Sequence, residues 1–383
     1  MITQLKKVIN YLGMLSSVSL FFLISSCKVS KDYTIKAPVL CDSLLVHVPK
    51  DYYNPFMAFP LPKLDLETQS FYFMAGGNKN IIHFDLKKDE IHRVVNCERI
   101  PDLQYVFNLI PLEDSSFMVF FGPDQGAFHD NFVGFVSDSS IYFPDYNYDG
   151  TNILTLAYDD SIDYYTATFP NPFFIDPILG EDSSLILPCH FGTRIPGTEA
   201  YNRLDQGKFV EVYPKSVKKA AHFLPPRFSD VIPKGKIFGR GYDGVHGWME
   251  DNKLVWGYDI NNDIHIYDLS NNKLTTVSQN NPFFSEIQTT DTLEDKEHDY
   301  SQVEFIYLIR NPYRKEVYRV IEKPRRTGFY VIVMDDEFNE KALYELPKNI
   351  TYPILCSKRG IYGYVEDSYA HNNYYQFNEF VFE

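Results

Sequence analysis

Little in this chain of 383 residues recurs every three or four positions, and few apolar stripes have helical spacing. That excludes a helical bundle and a coiled coil. Low-complexity segments are also lacking, and with 44% hydrophobic residues disorder is excluded too. The G-x-S-x-G elbow is missing, which argues against an α/β-hydrolase serine site. No pair of histidines has the H-E-x-x-H spacing of a helical zinc site. Positive charge is scarce. Lys and Arg number 36 against 51 Asp and Glu, a formal net charge of −15. Phosphate backbones need clustered Lys and Arg, so nucleic acid is not an expected partner.

Aromatic residues are abundant, with 29 Tyr and 31 Phe, and they favour strands. One stretch is written twice. Leu254 to Ser278 (LVWGYDINNDIHIYDLSNNKLTTVS) aligns without a gap on Phe71 to Val95 (FYFMAGGNKNIIHFDLKKDEIHRVV). Ile81 falls on Ile264, Phe84 on Tyr267, Asp85 on Asp268, Ile91 on Leu274 and Val94 on Val277. Each copy reads as three short strands with polar turns. In Ile264–Leu269 neither alternating face is wholly polar, as expected of a strand covered on both sides. A repeated antiparallel unit that cannot bury both faces alone predicts a β-propeller.

Taken in order, the chain opens with Lys6 and Lys7 before an apolar stretch from about Val8 to Ile24. Ile24-Ser25-Ser26-Cys27 then has the form of a lipoprotein signal cleavage box. The stretch is short and polar for a transmembrane helix. The expected division is a signal peptide at 1–26, a lipidated tether at 27–42 and one propeller at 43–383. Lipid on Cys27 would place the protein in the cell envelope, periplasmic or at the cell surface, with the membrane as its partner. A monomer is expected.

Strand-like segments recur from Ser43–Val48 to Phe377–Phe382. Tyr105–Ile110 is expected as the fourth strand of the Phe71 unit. The count gives six blades of roughly 50–60 residues, with seven the alternative. The N-terminal strand near Leu44 is expected to pair in the sheet holding residues 353–382 and so close the ring.

Tyr307 to Leu346 (YLIRNPYRKEVYRVIEKPRRTGFYVIVMDDEFNEKALYEL) pairs a Tyr-Arg strand with an aliphatic strand, then D-E-F and a closing Glu-Leu. With Cys27, the DSSIYF stretch at Asp138 and GIYGYV at Gly360, it resembles a lipoprotein family catalogued as domain of unknown function 4221. The resemblance implies a TolB-like six-bladed propeller and a lipid anchor. It implies no catalytic residues.

Candidate chemistry is sparse. Asp145, Asn147 and Asp149, followed by Gly150, open like a calcium loop, but Ile153 and Leu156 stand where closing ligands should. A polar turn is expected, with no cofactor and Ca2+ only as the alternative. His129 and His246 are expected in Gly-rich loops, where function tends to sit. His83 and His265 lie in strands and read as packed residues. Gly239–Gly244 is rich in glycine but is not a nucleotide loop. Its Arg240, with the nearby Trp248, could line one mouth of the ring. Cys41, Cys97, Cys189 and Cys356 remain after Cys27, and Cys41–Cys356 is a candidate bridge if their sheet brings them close. The expected function is a lipid-anchored module that binds an unidentified ligand or protein partner. The alternative is an enzyme acting on a glycan or peptide at the central channel. Fold alone cannot separate them.

Overall fold

The two repeated stretches fold alike. Ser70–Ala75, Asn80–Asp85 and Glu90–Asn96 correspond to Lys253–Tyr258, Ile264–Asp268 and Lys273–Val277. Their turns correspond bond for bond. The Leu86 N–H donates to the Gln69 carbonyl at 2.8 Å, and the Leu269 N–H to the Asn252 carbonyl at 3.0 Å. Asp85 and Asp268 close equivalent strands for one reason. A short carboxylate accepts the N–H of Lys87 at 3.0 Å in one turn and of Ser270 at 2.9 Å in the other. Asp89 and Asn272, also equivalent, adopt positive φ of 56° and 54°, which suits these residue types.

The structure is a computed structural model. It describes residues 34–54, 62–75, 79–98, 105–112, 115–122, 132–142, 147–148, 151–152, 178–179, 184–188, 209–213, 222–224, 245–259, 261–279 and 303–383. The described fold lies in the unit Ile35–Glu383. It is an all-β propeller whose sheets are antiparallel meanders. Sheet I holds Lys63–Asp65 and the three strands of the first repeat. Sheet II holds Tyr105–Pro111, Phe117–Gly122, Phe132–Val136 and Ile141–Tyr142. Sheet III holds Ile178–Leu179, Leu185–Pro188, Phe209–Val212 and His222–Phe223. Sheet IV holds Val245–Glu250 and the second repeat. Sheet V holds Glu304–Asn311, Glu316–Glu322, Phe329–Asp335 and Glu340–Glu345, and sheet VI holds Ile350–Cys356, Gly360–Val365 and Tyr375–Val381.

The N-terminal segment completes two of these. Val39–Val46 pairs antiparallel with Tyr375–Val381, with Ser43 opposite Asn378 and Val46 opposite Tyr375. Ile35–Lys36 runs parallel to Leu343–Tyr344 at the edge of sheet V. Residues 35–36 and 39–42, expected in the tether, are therefore strand. The blade count also needs correcting. Against the expected six or seven four-stranded blades, the described residues hold five four-stranded sheets and one of five strands. The extra strand is Ile35–Lys36, whose two residues are too few to show alternation in the sequence. Tyr105–Pro111 is not the fourth strand of the first repeat. It opens sheet II against Phe117–Gly122. Glu90–Asn96 already ends sheet I, whose first strand is the three-residue Lys63–Asp65.

Apolar side chains fill the spaces between neighbouring sheets. Trp256, Tyr258 and Phe209 pack sheet III on sheet IV. Val255, Phe305 and Ile332 pack sheet IV on V, and Tyr318, Val331 and Phe380 pack V on VI. Phe71, Val46 and Phe377 join VI to I, while Ile81, Leu109 and Val119 join I to II. Sheet VI, built from both ends of the unit, thus sits between V and I. The first strands of neighbouring sheets adjoin one another along this series. They form the inner layer, and the fourth strands the outer one.

The Cys41–Cys356 bridge does not form, and both thiols are free. Their strands are at opposite edges of sheet VI. Three strand spacings separate them by about 14 Å, well beyond disulfide reach.

Candidate functional site

The best-defined polar cluster lies where the first strands of sheets IV, V and VI begin. His246, expected in a loop, is instead the second residue of the strand Val245–Glu250; it is only 6% exposed, and its Nε2 lies 2.9 Å from Oδ1 of Asp259, which directly follows the neighbouring strand. The His246 ring meets Tyr307 edge-on at 5.4 Å, and Tyr307 meets Tyr352 at 6.0 Å. Tyr352 also packs edge-on against Phe329 at 5.1 Å. Its hydroxyl donates to Glu322, and burial, together with the Glu322 carboxylate, raises its pKa well above the ordinary value. Glu304 lies within electrostatic reach of Tyr352. Arg326 Nε approaches Glu322 Oε2 at 3.8 Å. Aromatic faces, tyrosine hydroxyls and carboxylates thus converge from three sheets. Tyr352 is fixed as a hydrogen-bond donor at neutral pH rather than a base.

A buried arginine holds the rim in place. Arg319, in the middle of Glu316–Glu322, is 0% exposed and lies over the Phe305 ring at 5.1 Å. Its Nη2 donates to the carbonyls of Tyr258 and, at 2.9 Å, of Asn261. Those residues flank Asp259, so the guanidinium fixes the backbone that presents the carboxylate to His246. Burial lowers the Arg319 pKa to about 10, and Asp259 and Asp263 oppose that shift. Gly257 makes room for it, since a Cβ there would come within 2.8 Å of Arg319 Nη1.

His265 is packed as the sequence suggests. It is fully buried, its ring lies 5.3 Å from Trp256, and its Nδ1 is 3.0 Å from Thr276 Oγ1. Burial, aided by Arg319, lowers its pKa from 6.5 to about 4. The unfolded chain therefore binds the extra proton first, and stability should fall as pH drops from about 6.5 to about 4 and level off below. The contribution is about 3 kcal/mol. Urea denaturation at pH 7 and pH 4.5, compared with His265→Gln, should show the acid loss diminished in the variant.

The residues singled out from sequence scatter. Trp248 is half-buried between sheets IV and V, 6.3 Å from Phe338. It is two residues beyond His246 on the same strand. Asn147 stands in a two-stranded ribbon, opposite Asn152. Cys27, His129, Asp145, Asp149 and Arg240 lie outside the described residues. Among the described residues, no group of three His, Cys, Asp or Glu side chains could hold a metal ion. Sequence reasoning missed Asp259, Glu304, Glu322 and Tyr352 as a group. Arg319 left a trace, as the one basic residue inside the apolar run VYRVI.

A crystal structure of a DUF4221 family member from Bacteroides vulgatus matches this chain with a TM-score of 0.63 and 14% identity, covering 90% of this chain and 97% of that one. The chain resembles the DUF4221 family in fold. A luciferin-regenerating enzyme matches with a TM-score of 0.45 and 12% identity, covering 89% of this chain and 96% of that one. The calcium-binding protein regucalcin from Agrobacterium tumefaciens matches with 0.43 and 12%, covering 91% and 96%. No family model matches the sequence, and no curated protein does.

Proposed function

We propose that the protein is a lipid-anchored binding module of the cell envelope, held at Cys27, with the His246–Asp259–Tyr352 end of its propeller turned to a ligand or protein partner. In this reading the pairing of Val39–Val46 with Tyr375–Val381 closes the propeller. The observation that carries the binding reading is the state of Tyr352. Burial and Glu322 keep it protonated, so it donates a hydrogen bond and does not act as a base. His246 and Asp259 stand beside it, Nε2 and Oδ1 2.9 Å apart. Tyrosine rings with carboxylates suit a ligand rich in hydroxyl or amine groups.

Isothermal titration with a panel of soluble oligosaccharides and short basic peptides tests this, with mass spectrometry of the mixtures watching for products. Saturable binding without turnover is expected, weakened about tenfold by Tyr352→Phe through loss of one buried hydroxyl contact. Glu250→Gln, at the other end of the same inner layer, should leave binding unchanged. Product formation abolished by Asp259→Asn would establish an enzyme instead.

A further inference from the structure

The large apolar side chains exposed among the described residues all lie in one short segment. They are Ile35, Val39, Leu40 and Leu45, and Leu40 is 58% exposed. Val39–Val46 is also the outer strand of sheet VI and Ile35–Lys36 the outer strand of sheet V, and among the described residues neither outward edge pairs further. Elsewhere the outward turns are polar, as at Asp268–Asn272 and Asp335–Asn339. An apolar, unpaired edge needs a cover, since it otherwise invites association.

We propose that this edge, Ile35 to Leu45, is the surface by which the propeller rests on the lipid bilayer. The inference rests on the lipid-anchor reading of Cys27 and adds which face of the domain meets the membrane. Chain length supports it. Eight peptide units join Cys27 to Ile35, a reach of at most about 28 Å. A compact body of roughly 350 residues has a radius of gyration of about 20 Å. A tether this short cannot let the far side of the domain touch the lipid. Charge supports it as well. Residues 28–36 carry Lys28, Lys31 and Lys36 against Asp32 alone, in a chain whose net charge is −15. Anionic headgroups attract this stretch and repel the acidic remainder. The aliphatic side chains then enter the interface and the body stays in water.

Cys41 is an internal probe, exposed between Leu40 and Asp42. The acylated protein, its palmitate label verified, is placed on liposomes of phosphatidylethanolamine and phosphatidylglycerol. A charged maleimide is added, and modification of the Cys41 peptide is followed by mass spectrometry. Asp336→Cys, in an exposed turn, supplies a reference thiol. Relative to that thiol, Cys41 should react about tenfold more slowly on liposomes than in bile-salt micelles, as expected for a residue next to an aliphatic side chain buried in the interface. Leu40→Glu, labelled normally with palmitate, should restore the rate. A chain with ten Gly and Ser residues inserted after Lys28 should keep the slow rate, because contact and not mere tethering protects the edge. Equal rates on liposomes and in micelles would overturn the proposal. So would protection lost in the lengthened chain, or slowing in micelles that rises with protein concentration and marks a second copy on the edge. Absence of the palmitate label would instead overturn the anchor itself.

Discussion

Gly360→Ala should destabilise the domain by about 3 kcal/mol or more, as for a large overpacking defect. Gly360 begins the second strand of sheet VI, opposite Val381. A Cβ at this position would lie 2.0 Å from the Phe380 carbonyl oxygen and 3.1 Å from its carbon. The obstacle is backbone in the next strand, so no rotamer change relieves it. The hairpin cannot slide away either. The Gly360 N–H donates to Ser357 Oγ at 2.8 Å, and its carbonyl accepts from Asn311 Nδ2 at 2.9 Å. Asn311 belongs to sheet V, so the clash would loosen the V–VI packing as well as one strand pair. Gly257→Ala makes the useful contrast. Its Cβ would meet Arg319 Nη1 at 2.8 Å, a side-chain atom rather than backbone, so the clash can be relieved at the cost of loosening the bonds to Tyr258 and Asn261. Urea denaturation of both variants should show Gly360→Ala as clearly the worse. Equal stability of Gly360→Ala and the unaltered chain would mean that sheet VI is not paired in this register.

The parts of this architecture that could be read from sequence are those set by alternation and turn chemistry. The gapless match of the Asp85 and Asp268 turns could be read because each carboxylate caps its own turn with local bonds. The pairing of Val39–Val46 with the last strand could be read because Leu44–Val48 is a strand-like apolar run with no hairpin partner nearby. Lys63–Asp65 and Ile35–Lys36 are too short to carry a period, and their loss shifted the assignment of Tyr105–Pro111 and the count of four-stranded sheets. The polar cluster was hidden for another reason. Asp259 directly follows a strand of sheet IV, Glu322 ends one in sheet V, and Tyr352 lies in sheet VI, so only the packing of three sheets makes them neighbours. Arg319 shows how such distant pieces are coupled. One buried guanidinium on sheet V holds the carbonyls of Tyr258 and Asn261 on sheet IV.

Removing residues 35–48 should unfold the domain or leave it only marginally stable. Seven residues of Val39–Val46 stand in register with the last strand, from Val39 opposite Val381 to Val46 opposite Tyr375. Without them Tyr375–Val381 becomes an edge with unpaired backbone groups. The packing between sheets VI and I suffers as well. Val46 is 0% exposed and Val48 4%, and both lie in the cluster with Phe71 and Phe377. Burial of two valines contributes about 3–5 kcal/mol, before the strand's hydrogen bonds are counted. The hydroxyl of Tyr369, which donates to the Val48 carbonyl at 2.9 Å, loses its acceptor too. Against a total stability of about 5–15 kcal/mol, the combined loss is large. Val46→Ala gives a graded version, with about 2 kcal/mol lost to the cavity. A synthetic peptide of residues 37–48, added in excess to the shortened chain, should restore part of the melting temperature by strand addition. A shortened chain with an unchanged melting temperature would show that the N-terminal strand adds nothing to the sheet it completes. Rescue by a peptide in which Leu44 and Val46 are both replaced by Asp would show that backbone pairing, not the buried face, carries the effect.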